Sequence, residues 1–308
     1  MLRPNLNRIW TSPECLVCLT AIAFEILKRT TENINTQLIG MKKTYELLKS
    51  FSINDVPTDI ANKMYRMLLQ LTQTSDPFKE IKKQSNKLAQ EAVQRIRSHV
   101  EEADSPYENL QRCLAASIAG NMIDFGTAGH SINLDLDFLE SCYYQITTEG
   151  FAIDDASKLF IALKEASDIL FIADNAGEIY FDLFLVNYIK RYNIKTTLVV
   201  KSGPISNDAT LEDVSNPLFR TAVTRIMTTG TNALGVSITE SSQEFLNRLR
   251  TTDVIIAKGQ SNFETLFYHA KQLTSKPIFF LFRTKCRSIA NFLGQPIGKN
   301  IILLRNAK

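Results

Sequence analysis

In the second half of the chain, side chains able to hold a hard metal ion or an anion gather in short runs. Asp174-Asn175-Ala176-Gly177-Glu178 is one, and Lys201-Ser202-Gly203-Pro204 with Asn207-Asp208 is another. Thr228-Thr229-Gly230-Thr231-Asn232, Lys258-Gly259-Gln260-Ser261-Asn262 with Glu264, and Arg283-Thr284-Lys285 complete the set. Asp174, Asn175 and Asp208 offer oxygen donors with no thiolate or imidazole beside them, which suits Mg²⁺ or Mn²⁺ and does not suit zinc. Lys201, Lys258 and Lys285 are of the type that neutralises an anion. The backbone amides after Gly177 and Gly259 would open helices whose N-termini favour phosphate. Oxygen donors beside lysines are the ingredients of phosphoryl transfer, which needs positioning and charge neutralisation above all.

Each run alone has a plainer explanation. Asp-Asn after a strand commonly caps a helix, and Lys-Gly is ordinary turn chemistry. Their common position gives them weight, because every run follows a β-rich segment. Those segments are 168–173, 196–200, 223–227, 254–257, 278–282 and 301–304, with amphipathic helical patterns between them such as 179–192 and 242–250. Runs such as "DILFIA" and "PIFFLF" are apolar almost throughout, as in strands covered on both faces. Strands alternating with helices predict an α/β fold with a largely parallel sheet. Ligands of such sheets bind beyond the carboxyl ends of the strands, where these runs fall.

The first half has a different texture. Apolar residues recur at spacings of three and four, as in Met64, Met67, Leu68 and Leu71. Pro13, Pro57, Pro77 and Pro106 stand where helices begin, and Ser12, Asp76 and Ser105 before three of them are candidate caps. Residues 1–130 therefore read as a helical N-terminal region and 131–308 as an α/β domain carrying the site, with no linker between them.

Composition excludes several classes. With 308 residues, 44% apolar and 22% charged, the chain can bury a large core and is not disordered. A formal charge of +3 is too mild for a nucleic-acid binder, and the lysines around Lys79–Lys87 are interleaved with acids as on a solvated helix face. The first apolar stretch, Cys15 to Leu27, is interrupted by Thr20 and Glu25, so neither membrane nor secretion is expected. Five cysteines are too few for a disulfide scaffold, and the expected location is cytoplasmic. No protein partner is inferable.

Several segments, in order along most of the chain, carry a family likeness. They are Cys15-Leu16-Val17-Cys18, "AGNMIDFG" (119–126), "ADNAGE" (173–178), "GPISNDATLED" (203–213), "KGQSNFETL" (258–266) and Lys285-Cys286. In these the chain resembles the DUF89 family, the ARMT1-like metal-dependent damage-control phosphatases, and most closely the stand-alone microbial branch with an N-terminal CxxC. The resemblance implies a Rossmann-like α/β/α sandwich with an all-helical N-terminal region packed on it. It also implies hydrolysis of sugar phosphates and related small phosphorylated metabolites with Mg²⁺, Mn²⁺, Co²⁺ or Ni²⁺. Asp174, Asn175 and Asp208 carry over as metal ligands, and Gln260 to Glu264 with Lys285 as substrate or phosphate contacts. The eukaryotic branch reads differently across Gln260 to Glu264, so its substrate preferences do not transfer.

The expected set at the phosphate is Asn121, Glu178, Lys258, Gly259, Gln260, Asn262, Glu264 and Lys285. Asn121 and Asp124, three apart on a helix, are expected to line the site, the alternative being a left-handed cap at Asn121. Asp174 and Asp208 are the expected catalytic acids. Water is the expected nucleophile, with one of them accepting its proton; direct attack by Asp174 is the other route. Cys15 and Cys18 sit at a helix start, which can lower a thiol pKa, and packing or a redox pair is preferred to zinc. No histidine enters the chemistry, and Trp10, Tyr143 and Tyr144 read as packing residues. The competing class is a non-enzymatic module that binds a sugar phosphate or nucleotide. A dinucleotide oxidoreductase is disfavoured, because no G-x-G-x-x-G follows the first predicted strand.

Overall fold

A computed structural model describes residues 11–122 and 135–306. Asp124, Gly126, His130, Trp10 and the expected boundary between the two halves lie outside these. In chain order the helices are α1 (Glu14–Thr30), α2 (Ile34–Leu48), α3 (Pro57–Thr72), α4 (Lys79–Glu101), α5 (Pro106–Gly120) and α6 (Leu136–Glu149). There follow β1 (Ile153–Asp154), α7 (Ala156–Glu165), β2 (Asp168–Ile172), α8 (Glu178–Lys190), β3 (Lys195–Val200), α9 (Pro217–Ala222) and β4 (Arg225–Thr228). The last are α10 (Gln243–Thr251), β5 (Val254–Lys258), α11 (Gln260–Leu273), β6 (Ile278–Arg283), α12 (Arg287–Leu293) and β7 (Asn300–Arg305).

The fold is α/β. The strands form one sheet in the order β1-β7-β6-β5-β2-β3-β4, parallel except where β7 runs against β6. The sheet is covered on both faces, as the apolar strand runs require. One core holds Ile169, Phe171 and Ile256 against α4, α5 and α8, and the other holds Leu170, Ile255 and Phe280 against α10, α11 and α12. The two-residue edge strand β1 has no signal in the sequence, since a bridge that short shows no period.

From β2 the chain builds outward to β3 and β4, then crosses back to lay β5 on the other side of β2. A switch point of this kind opens a crevice at the strand ends. Ile172 pairs with Val199 of β3 and Ala257 of β5, so two residues further on Asp174 stands level with Lys201 and Gly259. Topology alone thus brings three of the predicted runs together.

The helical half meets the sheet in two ways. Helices α4 and α5 belong to the sheet's own core, whereas α1, α2 and α3 enclose a separate apolar cluster around Ile26, Met64 and Leu68 that reaches Ile205 and Leu234. The expected caps divide. Ser105 caps α5, accepting from the Glu108 amide at 3.1 Å, whereas Asp76 accepts from the Phe78 amide at 3.0 Å ahead of α4, whose N-cap is Phe78 with no side-chain bond. Ser12 instead spends its hydroxyl on Ser288, 2.6 Å away, joining the start of α1 to α12.

Where α5 crosses α8, Gly120 has no side chain because none fits. A Cβ there would lie 2.9 Å from Phe181 Cβ and 3.1 Å from the Glu178 carbonyl oxygen, on backbone that cannot swing away. Gly120→Ala should lower the unfolding free energy by about 1–3 kcal/mol despite alanine's better helix propensity, as overpacking does. Urea denaturation checks this, and a neutral or stabilising result would contradict such close packing.

Candidate active site

Beyond β2 the chain turns through Asp174, Asn175 and Ala176, and beyond β3 it returns through Asn207, Asp208 and Ala209. The two segments run antiparallel as a single bridge between Asn175 and Asp208, with Ala209 N–H donating to Asp174 O at 2.8 Å and Ala176 N–H to Asn207 O at 2.9 Å. Backbone bonding therefore fixes the three predicted ligands side by side. All three line one cavity of about 190 Å³, together with Gln260, Glu264 and Lys285.

The Asp174 carboxylate is held from behind. Its Oδ2 accepts from Asn121 Nδ2 at 3.1 Å and Asn175 Nδ2 at 2.9 Å, and the same two amides donate to Glu178 Oε2 at 2.8 and 3.0 Å. Each asparagine thus bridges the same pair of carboxylates and keeps them from repelling each other apart. Because Asn175 gives its nitrogen to this bridge, its carbonyl oxygen turns the other way. Asp174 Oδ1 is approached by Ser261 Oγ at 3.4 Å. Gly259, with φ +80°, closes over the group: a Cβ there would stand 1.9 Å from Asp174 Oδ2, so only glycine fits.

Lys258 and Asn262, expected at the phosphate, stand one layer deeper. Lys258 is fully buried, and its ammonium donates to Glu178 Oε1, Asp182 Oδ1 and the Ser117 carbonyl, each at 2.7 Å. That uses all three of its protons. Asn262 donates to Ala173 O at 3.1 Å and Lys258 O at 2.7 Å, fastening the end of β2 to that of β5. Glu178 and Asn121 belong to the same layer and do not line the cavity. Asn121 ends α5 in right-handed geometry, not as the left-handed cap that was the alternative.

The amides expected after Gly177 are also covered. Gly177 N–H donates to Asn86 Oδ1 at 2.7 Å, and α4 lies across the start of α8. Lys201, 3.6 Å from Asp208, is buried and donates to the Gly235 carbonyl. Burial pushes its pKa down, against the opposing pull of Asp208 and Asp174. Glu264 reaches the cavity but accepts from Thr58 Oγ1 at 2.6 Å and Gln260 Nε2 at 3.1 Å, and burial raises its pKa. Lys285 lines the cavity, its amide bonded to Gln260 Oε1 at 3.0 Å.

Three contributors went unread in the sequence. Asp182 shares Lys258 with Glu178, and burial raises its carboxyl to about 6 against the pull of the lysine. Its signal was present: Glu178 and Asp182 are four apart on a helix that is otherwise mostly apolar, so they share a face. Asp213 anchors the loop that carries Asp208, accepting from the Thr210 amide at 2.9 Å and from Asn86 Nδ2 at 2.9 Å, with Lys82 at 3.6 Å. Ser206 adopts φ +46°, a left-handed turn just before Asp208 that no pattern announces.

Electrostatics bear on what the cavity accepts. Asp174, Glu178, Asp182 and Asp208 share the buried layer with Lys201 and Lys258, and none of the six is more than 5% exposed. Four carboxylates against two ammonium groups leave an excess of negative charge even before a ligand enters, with Lys285 at the cavity wall. Among the described residues no cluster of three or more His, Cys, Asp or Glu is arranged as a metal site. The donor set at the cavity is two carboxylates and an amide, which fits a hard divalent ion that keeps several waters.

All five cysteines are free thiols. Cys15, Cys18 and Cys286 line the cavity, away from Asp174 in character. The helix start does not activate Cys18. Burial, then Glu264 and Cys15, push its thiol up to about 11, and Cys286 is pushed to about 12. His99 donates or accepts at Tyr143 Oη at 2.7 Å, and Tyr143 is buried as a packing residue. Among the described residues no helix is long and apolar enough to cross a membrane.

A mostly parallel sheet with an acid–amide–acid group at its switch point defines an α/β protein of the kind whose ligands bind beyond the carboxyl ends of the strands. Comparison narrows the class. The family model for the damage-control phosphatase ARMT1-like domain matches residues 11–301, and the chain belongs to that family. It is 33% identical over 296 residues to an uncharacterized protein of Methanocaldococcus jannaschii, covering 95% of both chains. It is 32% identical to a damage-control phosphatase of Pyrococcus horikoshii over 295 residues, 95% of this chain and 97% of the relative. A crystal structure of a DUF89 family protein from the same organism superimposes with a TM-score of 0.83 at 30% identity, covering 97% of this chain and 99% of that one.

Replacing Lys258 by Met should cost about 3–5 kcal/mol of stability, because Glu178 and Asp182 are then left buried without a counter-ion. Chemical denaturation measures this. A cost below about 1 kcal/mol, the range of an exposed pair, would show that the triad is not what holds this layer.

Proposed function

We propose that this chain is a metal-dependent phosphatase that hydrolyses phosphate monoesters of small metabolites. The observation that carries this reading is the backbone bridge between Asn175 and Asp208, which sets two carboxylates and an amide beside one cavity at the sheet's switch point. Two relatives named damage-control phosphatases, one 32% and the other 29% identical, point the same way and suggest a role in metabolite damage control. Asp174, Asn175 and Asp208 would hold the ion, with Mg²⁺, Mn²⁺, Co²⁺ and Ni²⁺ as candidates. When bound, the ion supplies Lewis-acid polarisation of a phosphoryl oxygen.

The remaining chemistry falls to the chain's own groups. Lys285 and Ser261, which line the cavity, and the first-turn amides of α11 would bind the other phosphoryl oxygens. Gln260 holds the Lys285 segment in place through its side-chain carbonyl. Asp174 is oriented by Asn121 and Asn175, and either it or Asp208 accepts a proton from the attacking water. The new bond joins the water oxygen to phosphorus. The ester bond breaks on its alcohol side of phosphorus, and the alcohol leaves with the proton. Glu178, Lys258 and Asn262 serve from beneath, keeping Asp174 and the start of α11 in register. From its composition we read the chain as cytoplasmic.

A screen for phosphate release with the four ions against sugar phosphates and simple alkyl phosphates tests this directly. Asp174→Ala and Asp208→Ala should each lower turnover by about two orders of magnitude or more while circular dichroism shows a folded chain. Undiminished release in either variant, or equal release in a chelator, would reject the assignment. Saturable binding of phosphorylated compounds with no release under any of the four ions would instead identify a binding module.

A further inference from the structure

The cavity has two unlike halves. Its floor is the polar group at the ends of β2 and β3 and at the start of α11. A second part of its lining is a wall of Leu19 and Ile22 of α1, Ala61 and Tyr65 of α3, and Ile289 of α12. Leu19, Ala61 and Tyr65 belong to the apolar cluster of the first three helices, so this wall is the inner edge of a hydrophobic core. The thiols beside it are protonated and add to its apolar character, since burial raises both Cys18 and Cys286.

Several polar side chains between floor and wall are engaged with one another. Thr58 and Gln260 both donate to Glu264, Gln260 also meets Cys286 Sγ at 3.4 Å, and Ser288 is paired with Ser12. Glu14 at the rim pairs with Arg287 at 3.1 Å. A polyhydroxylated body placed against this wall would turn hydroxyl groups toward carbon and toward polar groups already bonded to one another, exchanging water for poorer partners, which is costly. Size limits the body as well. The cavity of about 190 Å³ is little larger than one that admits benzene, so the body it can enclose is a ring or branched chain, smaller than a nucleoside.

Resting on the phosphatase reading above, we infer that the preferred substrates are phosphomonoesters of a compact, apolar-bodied alcohol. The phosphoryl group faces Asp174 and Asp208, and the carbon body lies against α1 and α3. Helices α1 and α3 are then the specificity elements, and the Cys15–Cys18 motif is part of the wall that reads the body.

The experiment compares isoamyl phosphate with α-glycerol phosphate, two primary alkyl esters of similar leaving-group reactivity, and adds adenosine monophosphate as a test of size. With the full chain and the most active of the four ions, kcat/KM should favour isoamyl phosphate by about tenfold or more, chiefly through KM, with the nucleotide poorest. Ile22→Asn and Cys18→Ser should each shrink that ratio, the former by about fivefold or more. If Ile22→Asn does not fold, Cys18→Ser carries the comparison. Equal or greater kcat/KM for α-glycerol phosphate, or a ratio unmoved in a folded variant, overturns the inference and leaves the phosphatase reading standing. No release from any ester under any ion overturns both.

Discussion

A carboxylate beneath a protein surface must be given hydrogen-bond donors, and the rest of this site depends on how Asp174 receives them. Two asparagine amides, one from the end of α5 and one from its own turn, clamp it to Glu178. Glu178 in turn rests on Lys258, which rests on Asp182 and Ser117. The charge at the cavity is therefore supported by a column of alternating acids and donors that passes from the end of the sheet into the helical layer. Remove a member and a neighbouring charge is stranded in low dielectric, where the penalty is several kcal/mol.

The column also ties the helical half to the sheet. Asn121 comes from α5, Ser117 one turn earlier, and the contact of α5 with α8 is close enough to require Gly120. On the cavity side α1 and α3 supply the wall facing the acids. The same sheet end is thus supported by one set of helices and roofed by another, a division that composition alone would have merged into a single bundle.

Much of this was legible. Alternating strand and helix patterns gave the parallel sheet, and several of the runs after the strands fall at the sheet end where the cavity lies, as such sheets lead one to expect. What could not be read was depth. Lys258 and Lys285 look alike in the sequence, each following a strand, yet one is sealed in an ion triad and the other lines the cavity. Depth depends on which helix lies across a turn, as α4 does at Gly177, and that contact joins residues far apart in the chain. The Cys18 thiol shows the same dependence on depth: a helix start lowers a thiol pKa where the group is solvated, and at Cys18 burial dominates.

Helix α4 touches both loops that present the acids. Asn86 gives its carbonyl to Gly177 and its nitrogen to Asp213, and Lys82 sits between Asp76 and Asp213. One helical turn thereby latches the turn after β2 and the long loop after β3 at once. Should that turn fray, both loops lose their anchor together, so amide protection in the two segments is coupled into a single cooperative opening unit with α4.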